Sequence, residues 1–109
     1  DKGHYAGTKY FEASTVEKFT STYFDKNRRG LGFDKPSGIH NGNVCDEASP
    51  ESYGHSGFTG TFVWADPRNG LVYIFLSNRT YPDAENKKIV EQNIRTRIHS
   101  LFYQTIDKP

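Results

Sequence analysis

The residues best suited to chemistry lie in one glycine-rich run, Gly54-His-Ser-Gly-Phe-Thr-Gly60. Glycines at the start of a strand weaken it and pack poorly, so they indicate close approach of backbone or of a ligand. Adjacent strand residues point to opposite faces, so the imidazole of His55 cannot easily activate the hydroxyl of Ser56. The run is not a nucleophile elbow either, because Gly-x-Ser-x-Gly would need glycine where Phe58 stands.

The same run is better suited to form one wall of a site. His55 would supply a side-chain donor or cation, and Ser56 would supply a hydroxyl. The backbone N–H after Gly57, which belongs to Phe58, could stabilise an oxyanion. The alternative is a glycine-rich strand entry that carries a surface histidine and no chemistry.

No pattern of metal ligands runs through the sequence. The histidines are scattered without His-x-x-x-His or Cys-x-x-Cys spacing, at His4, His40, His55 and His99. The single cysteine, Cys45, allows no internal disulfide. We therefore expect no metal ion and no cofactor.

Two weaker patterns have structural explanations. Thr15-x-x-Lys18 has the spacing of a nucleophile and a base, but it falls on a predicted amphipathic surface helix. The run Arg29–Phe33 partly matches an RNA-binding strand signature in which aromatic rings stack on bases. Leu31 stands where a ring is needed and Pro36 interrupts the strand, so a tight strand between glycines is favoured.

Length, composition and charge narrow the classes of function. The chain has 109 residues, of which 34% are hydrophobic and 15% aromatic, and its net charge is +1. This length allows one domain. The low hydrophobic fraction predicts a small core, and the high aromatic fraction indicates that the chain is not disordered. The small net charge disfavours nucleic acid and anionic membranes as partners. We expect no spanning segment or signal peptide, and the absence of methionine suggests a processed chain or a piece of a longer one.

Several elements would hold the glycine-rich run in place. Ser14 and Glu17 fit a capping box that starts a helix of about ten residues, ending near Asn27. Its apolar stripe comprises Val16, Phe19 and Tyr23. A short strand is predicted at Leu31–Phe33, followed by a loop over residues 35–52 that is long enough to be functional.

The strongest β signals lie in the second half of the chain. Phe58–Trp64 and Leu71–Leu76 predict an antiparallel hairpin, and Asp66–Gly70 has turn chemistry with glycine in the left-handed region. Leu71–Leu76 is apolar on both faces, so we expect a central strand covered on both sides. Apolar residues at helical spacing from Ile89 to Phe102 predict one helix of about twenty residues on this hairpin. The fold class is α+β, an antiparallel sheet flanked by an N-terminal helix and a long C-terminal helix.

Two segments carry a likeness to a known family, Tyr53–Pro67 and Leu71–Arg79. They resemble the C-terminal part of the serine β-lactamase and penicillin-binding-protein superfamily, most closely its class C-like and esterase-like branch. The likeness extends over nearly the whole chain, including Gly7–Thr20, Arg28–Phe33 and the terminal helix. It implies that residues 1–109 form a single partial domain, the C-terminal portion of a β-lactamase-like serine hydrolase.

In this superfamily a Lys-Thr-Gly strand motif, often His-Thr-Gly or His-Ser-Gly in this branch, forms one wall of the active site. The resemblance implies that His55, Ser56 and Gly57 take this place, with His55 as the catalytic residue. Ser56, Gly57 and Phe58 would contact the substrate, and the N–H of Phe58 would be an oxyanion-hole donor.

The departures from the family pattern shape the predicted function. No serine of the chain begins a Ser-x-x-Lys, and no tyrosine or serine begins a Tyr-x-Asn or Ser-x-Asn. Nucleophile and base are therefore missing, and we expect the chain to be inactive alone. Its partner would be the remainder of its parent chain, and the intact site would take a small ester, amide or β-lactam-like substrate. An exposed core face would favour self-association.

Two alternatives remain open. The resemblance extends to extracytoplasmic bacterial proteins in which such a domain follows a family 3 glycoside hydrolase, a β-N-acetylhexosaminidase, so the parent chain could be of that type. By the same resemblance we expect a periplasmic or cell-envelope location. A small non-catalytic binding module, recognising its ligand through the loop 35–52 and the glycine-rich edge, is the rival class.

Overall fold

The structure is a computed structural model that describes residues 1–40 and 42–106. It confirms an α+β fold with antiparallel strands and helices. The elements, in chain order, are β1 His4–Tyr5, β2 Thr8–Lys9, α1 Ala13–Thr20, β3 Tyr53–Ser56, β4 Phe62–Asp66, β5 Leu71–Phe75, α2 Lys88–Glu91 and α3 Ile94–Ile106. β1 pairs with β2 in a small separate hairpin.

The main sheet has the strand order β3-β4-β5, with both pairs antiparallel. The prediction that Leu71–Leu76 is a central strand is wrong for the described residues, because β5 lies at the edge of this sheet. Tyr73 on one face of β5 is buried, whereas Val72 and Ile74 on the other face are 63% and 62% exposed. One face of the sheet is therefore covered by the chain itself and the other is not.

The predicted hairpin is confirmed, but its first strand is shorter than expected. β4 begins at Phe62, and Gly57–Gly60 is a turn in which the Gly60 N–H donates to the Gly57 carbonyl at 3.0 Å. Gly60 has a φ of +94°, so the chain reverses where a continuous strand was predicted. The glycine-rich run is thus strand β3 followed by this turn. At the other end of β4, Gly70 has a φ of +64°, as its turn position predicted.

Aromatic rings form most of the core between the sheet and α3. Phe62 and Trp64 stack with their ring centres 5.5 Å apart, and Tyr73 stacks on the imidazole of His99 at 4.5 Å. Gly54 is required by this packing, since a Cβ there would lie 2.3 Å from Cε3 of Trp64. The loop 35–52 contributes two buried residues, Val44 and Cys45. Burial raises the pKa of the Cys45 thiol to about 12, which leaves it an inert core residue.

A buried carboxylate ties the loop, the hairpin and α3 together. Asp66, at the end of β4, accepts hydrogen bonds from the Ser49 hydroxyl at 2.6 Å and from the Tyr103 hydroxyl at 2.7 Å. The Ser49 amide and the Asn69 side chain donate to it as well. Burial by itself would raise the pKa of Asp66, but these hydrogen bonds outweigh it and hold the pKa well below its usual range.

The N-terminal helix differs from its prediction at both ends. α1 begins at Ala13, its N-cap is Glu12 and no side chain caps it, so the capping box at Ser14 does not form. The helix ends at Thr20, well before Asn27, and the ammonium of Lys35 donates to the Thr20 carbonyl at 2.9 Å. A cation from the following loop therefore satisfies one of the free carbonyls at this end.

The predicted C-terminal helix is two helices. Asn93, between α2 and α3, has a φ of +50°, which interrupts the helical hydrogen bonding. α3 buries His99 and Tyr103, whereas Leu101 of the predicted stripe is 57% exposed. The prediction followed hydropathy alone. The buried face is instead the one on which His99 stacks on the ring of Tyr73 and Tyr103 donates a hydrogen bond to Asp66.

The predicted strand at Leu31–Phe33 is wrong. These residues form a tight turn in which the Gly30 N–H donates to the Phe33 carbonyl at 2.8 Å. A single β-bridge joins Arg29 to Asp34 on either side of it. The turn forms because both ends are held, by this bridge and by ion pairs from Arg28 and Arg29 to Asp34.

Candidate active-site wall

The outer edge of β3 is partly open. Asp34 covers it at Gly54, where the two backbones exchange hydrogen bonds of 2.7 and 3.0 Å. Backbone groups alternate along a strand, so the amide of Ser56 also faces outward, whereas that of Gly57 turns inward and donates to Thr61. Among residues 1–40 and 42–106, no acceptor takes the amide of Phe58. The predicted backbone donor of this run, the amide of Phe58, therefore directly follows a stretch of the β3 edge that is unpaired among the described residues.

The structure separates the side chains of His55 and Ser56, as strand alternation predicts. His55 pairs with Val63 in register and is exposed on the uncovered face, whereas Ser56 pairs with Phe62 on the covered face. The two side chains do not form a nucleophile and base pair. Instead, Nε2 of His55 lies 3.2 Å from Nη1 of Arg29, which also binds Asp34 at 2.6 Å.

Ser56 opens into a polar cleft of about 350 Å³ between the end of β3 and the junction of α2 with α3. Its polar lining comprises Arg28, Asn43, Asn93, Arg95 and Thr96. Arg28 is paired with Asp34, but Arg95 makes no ion pair within the described residues and donates to the Gly60 carbonyl at 3.3 Å. The cleft therefore carries net positive charge, and a carboxylate is the ligand group that suits it.

The turn that carries Phe58 is held by one arginine. Nε of Arg79 donates to the Phe58 carbonyl at 2.7 Å, and its guanidinium lies 4.5 Å from the centre of the Phe58 ring. Nη1 of Arg79 donates to the carbonyls of Ala84 and Asn86, at 2.9 and 3.2 Å. Its backbone amide bonds to Thr59 at 2.9 Å. The free amide of Phe58 is thereby kept at a fixed place although the Phe58 side chain is 75% exposed.

This arrangement supplies hydrogen-bond donors, and among the described residues of the wall no hydroxyl is paired with a base. It offers backbone donors, a hydroxyl, an imidazole and guanidinium groups along one strand edge. Within the described residues no three His, Cys, Asp or Glu side chains are grouped to hold a metal ion. Sequence reasoning missed the contributions of Arg29, Arg79 and Arg95. Arg29 and Arg79 fall in segments that carry the family likeness, but neither those segments nor the sequence around Arg95 indicates the contacts that these side chains make.

Comparison with known proteins agrees with the resemblance of the sequence. The family model described as Beta-lactamase matches residues 5–95. Proteins of Salmonella paratyphi B, Salmonella newport and Salmonella heidelberg, each provisionally named a D-alanyl-D-alanine carboxypeptidase, are 34% identical to the chain over 93 residues. These matches cover 80% of the chain but 20% of each relative, so the chain spans about a fifth of their length.

Two further findings concern structure and membranes. No solved structure gives a significant match. In the part of the chain that the structure describes, none of the helices has the length and apolarity needed to cross a bilayer.

Because the family match runs through the strand that carries His55 and Ser56 and through the sheet behind it, the chain belongs to the beta-lactamase family of serine hydrolases.

Proposed function

We propose that this chain is the C-terminal portion of a β-lactamase-like serine hydrolase domain and supplies one wall of its active site. The observation that carries the proposal is the amide of Phe58, in the turn directly after β3, which has no partner among the described residues. In an acyl transfer, such a donor would stabilise the negative charge that develops on the substrate oxygen. His55 and Ser56, which lie on opposite faces of the strand before this turn, would contact the substrate.

The nucleophile and the base would come from another part of the parent chain. The sequence has no Ser-x-x-Lys, Tyr-x-Asn or Ser-x-Asn, and Ser56 is not positioned beside the imidazole of His55. A donor wall without a nucleophile cannot form an acyl-enzyme. We expect the chain to be inactive alone.

The uncovered sheet face supports this division of the domain. Val63, Val72 and Ile74 form an apolar surface on the side of the sheet away from α3, and Leu76 beyond β5 is 79% exposed. The edge of β5 is also unpaired within the described residues. Because the chain spans a fifth of its relatives' length, we propose that the remainder of the parent chain covers this face. In its absence a second copy would cover it, which predicts self-association of the chain.

The substrate would be a small ester, amide or β-lactam-like molecule. The positively charged cleft beside Ser56 favours a substrate that carries a carboxylate, and the relatives named as D-alanyl-D-alanine carboxypeptidases make a peptide a reasonable example. Those names also support an extracytoplasmic location, in the periplasm or cell envelope. A glycoside hydrolase domain in the parent chain stays a prediction from resemblance.

The test compares the 109-residue chain with a longer version of the protein that extends upstream to a Ser-x-x-Lys. Each is offered a chromogenic β-lactam and a short-chain nitrophenyl ester. We expect turnover by the longer version alone, with a reduced rate in its Ser56→Ala variant and an unchanged rate in Ser14→Ala, a control on exposed α1. Turnover by the 109-residue chain that Ser56→Ala abolishes would overturn the proposal. Inactivity of both, with ligand binding to the short chain, would favour the binding module instead.

A further inference from the structure

Three side chains form a connected series at the start of the active-site wall. Nη1 of Arg29 lies 2.6 Å from Oδ1 of Asp34 and 3.2 Å from Nε2 of His55. The carboxylate of Asp34 is buried, and its other oxygen binds Arg28. The backbone of Asp34 exchanges two hydrogen bonds with Gly54, the residue before His55. Both partners of the arginine are therefore held on the same strand edge.

The chemistry of the guanidinium decides the state of the imidazole. Arginine has N–H donors and no acceptor, so the Nε2 atom that it contacts must be the acceptor. A ring that accepts at Nε2 carries its proton on Nδ1 when it is neutral. A protonated ring has donors at both nitrogens and cannot make this contact. The contact therefore pairs the guanidinium of Arg29 with a ring nitrogen of His55 that accepts.

We propose that Arg29 is a positioning residue that holds His55 as the neutral Nδ1–H tautomer. His55 then serves the wall as a hydrogen-bond donor through Nδ1 and not as a general base at Nε2 or as a cation. The role of that donor in catalysis rests on the proposed function. The state of the ring does not, because it follows from contacts within this chain.

The proposal is tested by nitrogen NMR of the His55 ring in the 109-residue chain, at about pH 8, where an imidazole is ordinarily neutral. We expect the wild type to carry its proton on Nδ1. In Arg29→Met the ratio of the Nδ1–H to the Nε2–H form should fall at least about fivefold, the factor that a hydrogen bond of ordinary net strength provides. Arg29→Lys, which keeps a donor, should restore part of the wild-type ratio.

Arg28→Met is the matched control. It removes the other ion pair to Asp34, and Arg28 makes no contact with His55 in the described residues. We expect the tautomer ratio of His55 to stay at its wild-type value in this variant, with the amide spectrum of each variant reporting whether the fold persists. A wild-type ring protonated on Nε2, or an equal change in the two methionine variants, would overturn the proposal. Since no activity is measured, absence of hydrolysis by the longer protein would count only against the proposed function.

Discussion

Acidification should destabilise this protein through one buried histidine. His99 on α3 is fully buried, and neither of its ring nitrogens has a hydrogen-bond partner among the described residues. Its ring is stacked on Tyr73 at 4.5 Å and lies near the rings of Phe62 and Tyr103. Burial lowers the pKa of His99 from 6.5 to about 4, although the negative charges of Glu47 and Asp66 act in the opposite direction.

The size of the effect follows from that difference in pKa. The native ring binds a proton less readily than the unfolded one, so the free energy of unfolding rises with pH between about 4 and 6.5. At about 1.4 kcal/mol for each pH unit, the contribution of His99 is about 3 kcal/mol. It is fully present above pH 6.5 and is lost as the pH falls through about 4. The loss of the Asp66 hydrogen bonds comes at lower pH, because the pKa of that carboxyl is lowered from 3.8.

Urea unfolding followed by the fluorescence of Trp64, repeated across this pH range, measures the effect. The His99→Phe variant keeps an aromatic ring in the stack and removes the two unpartnered nitrogens, so its stability at neutral pH should stay within about 1 kcal/mol of wild type. It should lose the dependence on pH between 4 and 6.5. His4→Phe, at an exposed position of β1, controls for the loss of a histidine as such. If the free energy of unfolding changes with pH equally in wild type and His99→Phe, His99 is not the group responsible.

Three other substitutions test the packing around the site. Gly54→Ala should destabilise the fold by about 1–3 kcal/mol in urea unfolding, because its Cβ would lie 2.3 Å from the buried indole of Trp64. An unchanged urea midpoint would contradict this close approach. Tyr103→Phe should cost about 2 kcal/mol in the same assay, since it removes a hydrogen bond to a buried carboxylate, and a loss below the error of the assay would show that this bond contributes nothing. Arg79→Met should speed hydrogen exchange of the Gly60 amide in the turn by at least about fivefold and leave exchange of the β4 amides unchanged. Equal protection of the Gly60 amide in wild type and variant would show that Arg79 does not hold the turn.

Much of the chain's organisation could be predicted from local patterns. Alternation along β3 correctly separated His55 from Ser56, and the turn chemistry before Gly70 correctly predicted the hairpin. The α+β class and the family followed from the same runs of residues. These features depend on neighbours in sequence, so the pattern of residue types is sufficient to specify them.

Some of the predictions that failed depend on contacts between distant segments. The helix before Asn27 ends early where Lys35 binds its last carbonyl, and α3 turns His99 inward because Tyr73 offers it a stacking partner. Two of the arginine contacts at the site join residues more than twenty positions apart, Arg29 with His55 and Arg79 with Phe58. No local pattern encodes such pairs.

The sequence alone therefore specified that His55 and Ser56 face opposite ways and that β4 and β5 form a hairpin, because these features follow from side-chain alternation and turn preferences. The packed structure specified that residues 53–56 form a strand with an open edge, and that Arg29 contacts both Asp34 and His55 beside it. The physical reason is that hydrogen bonds and ion pairs are selected by distance in space, which is known only when the loops and helices have packed against the sheet.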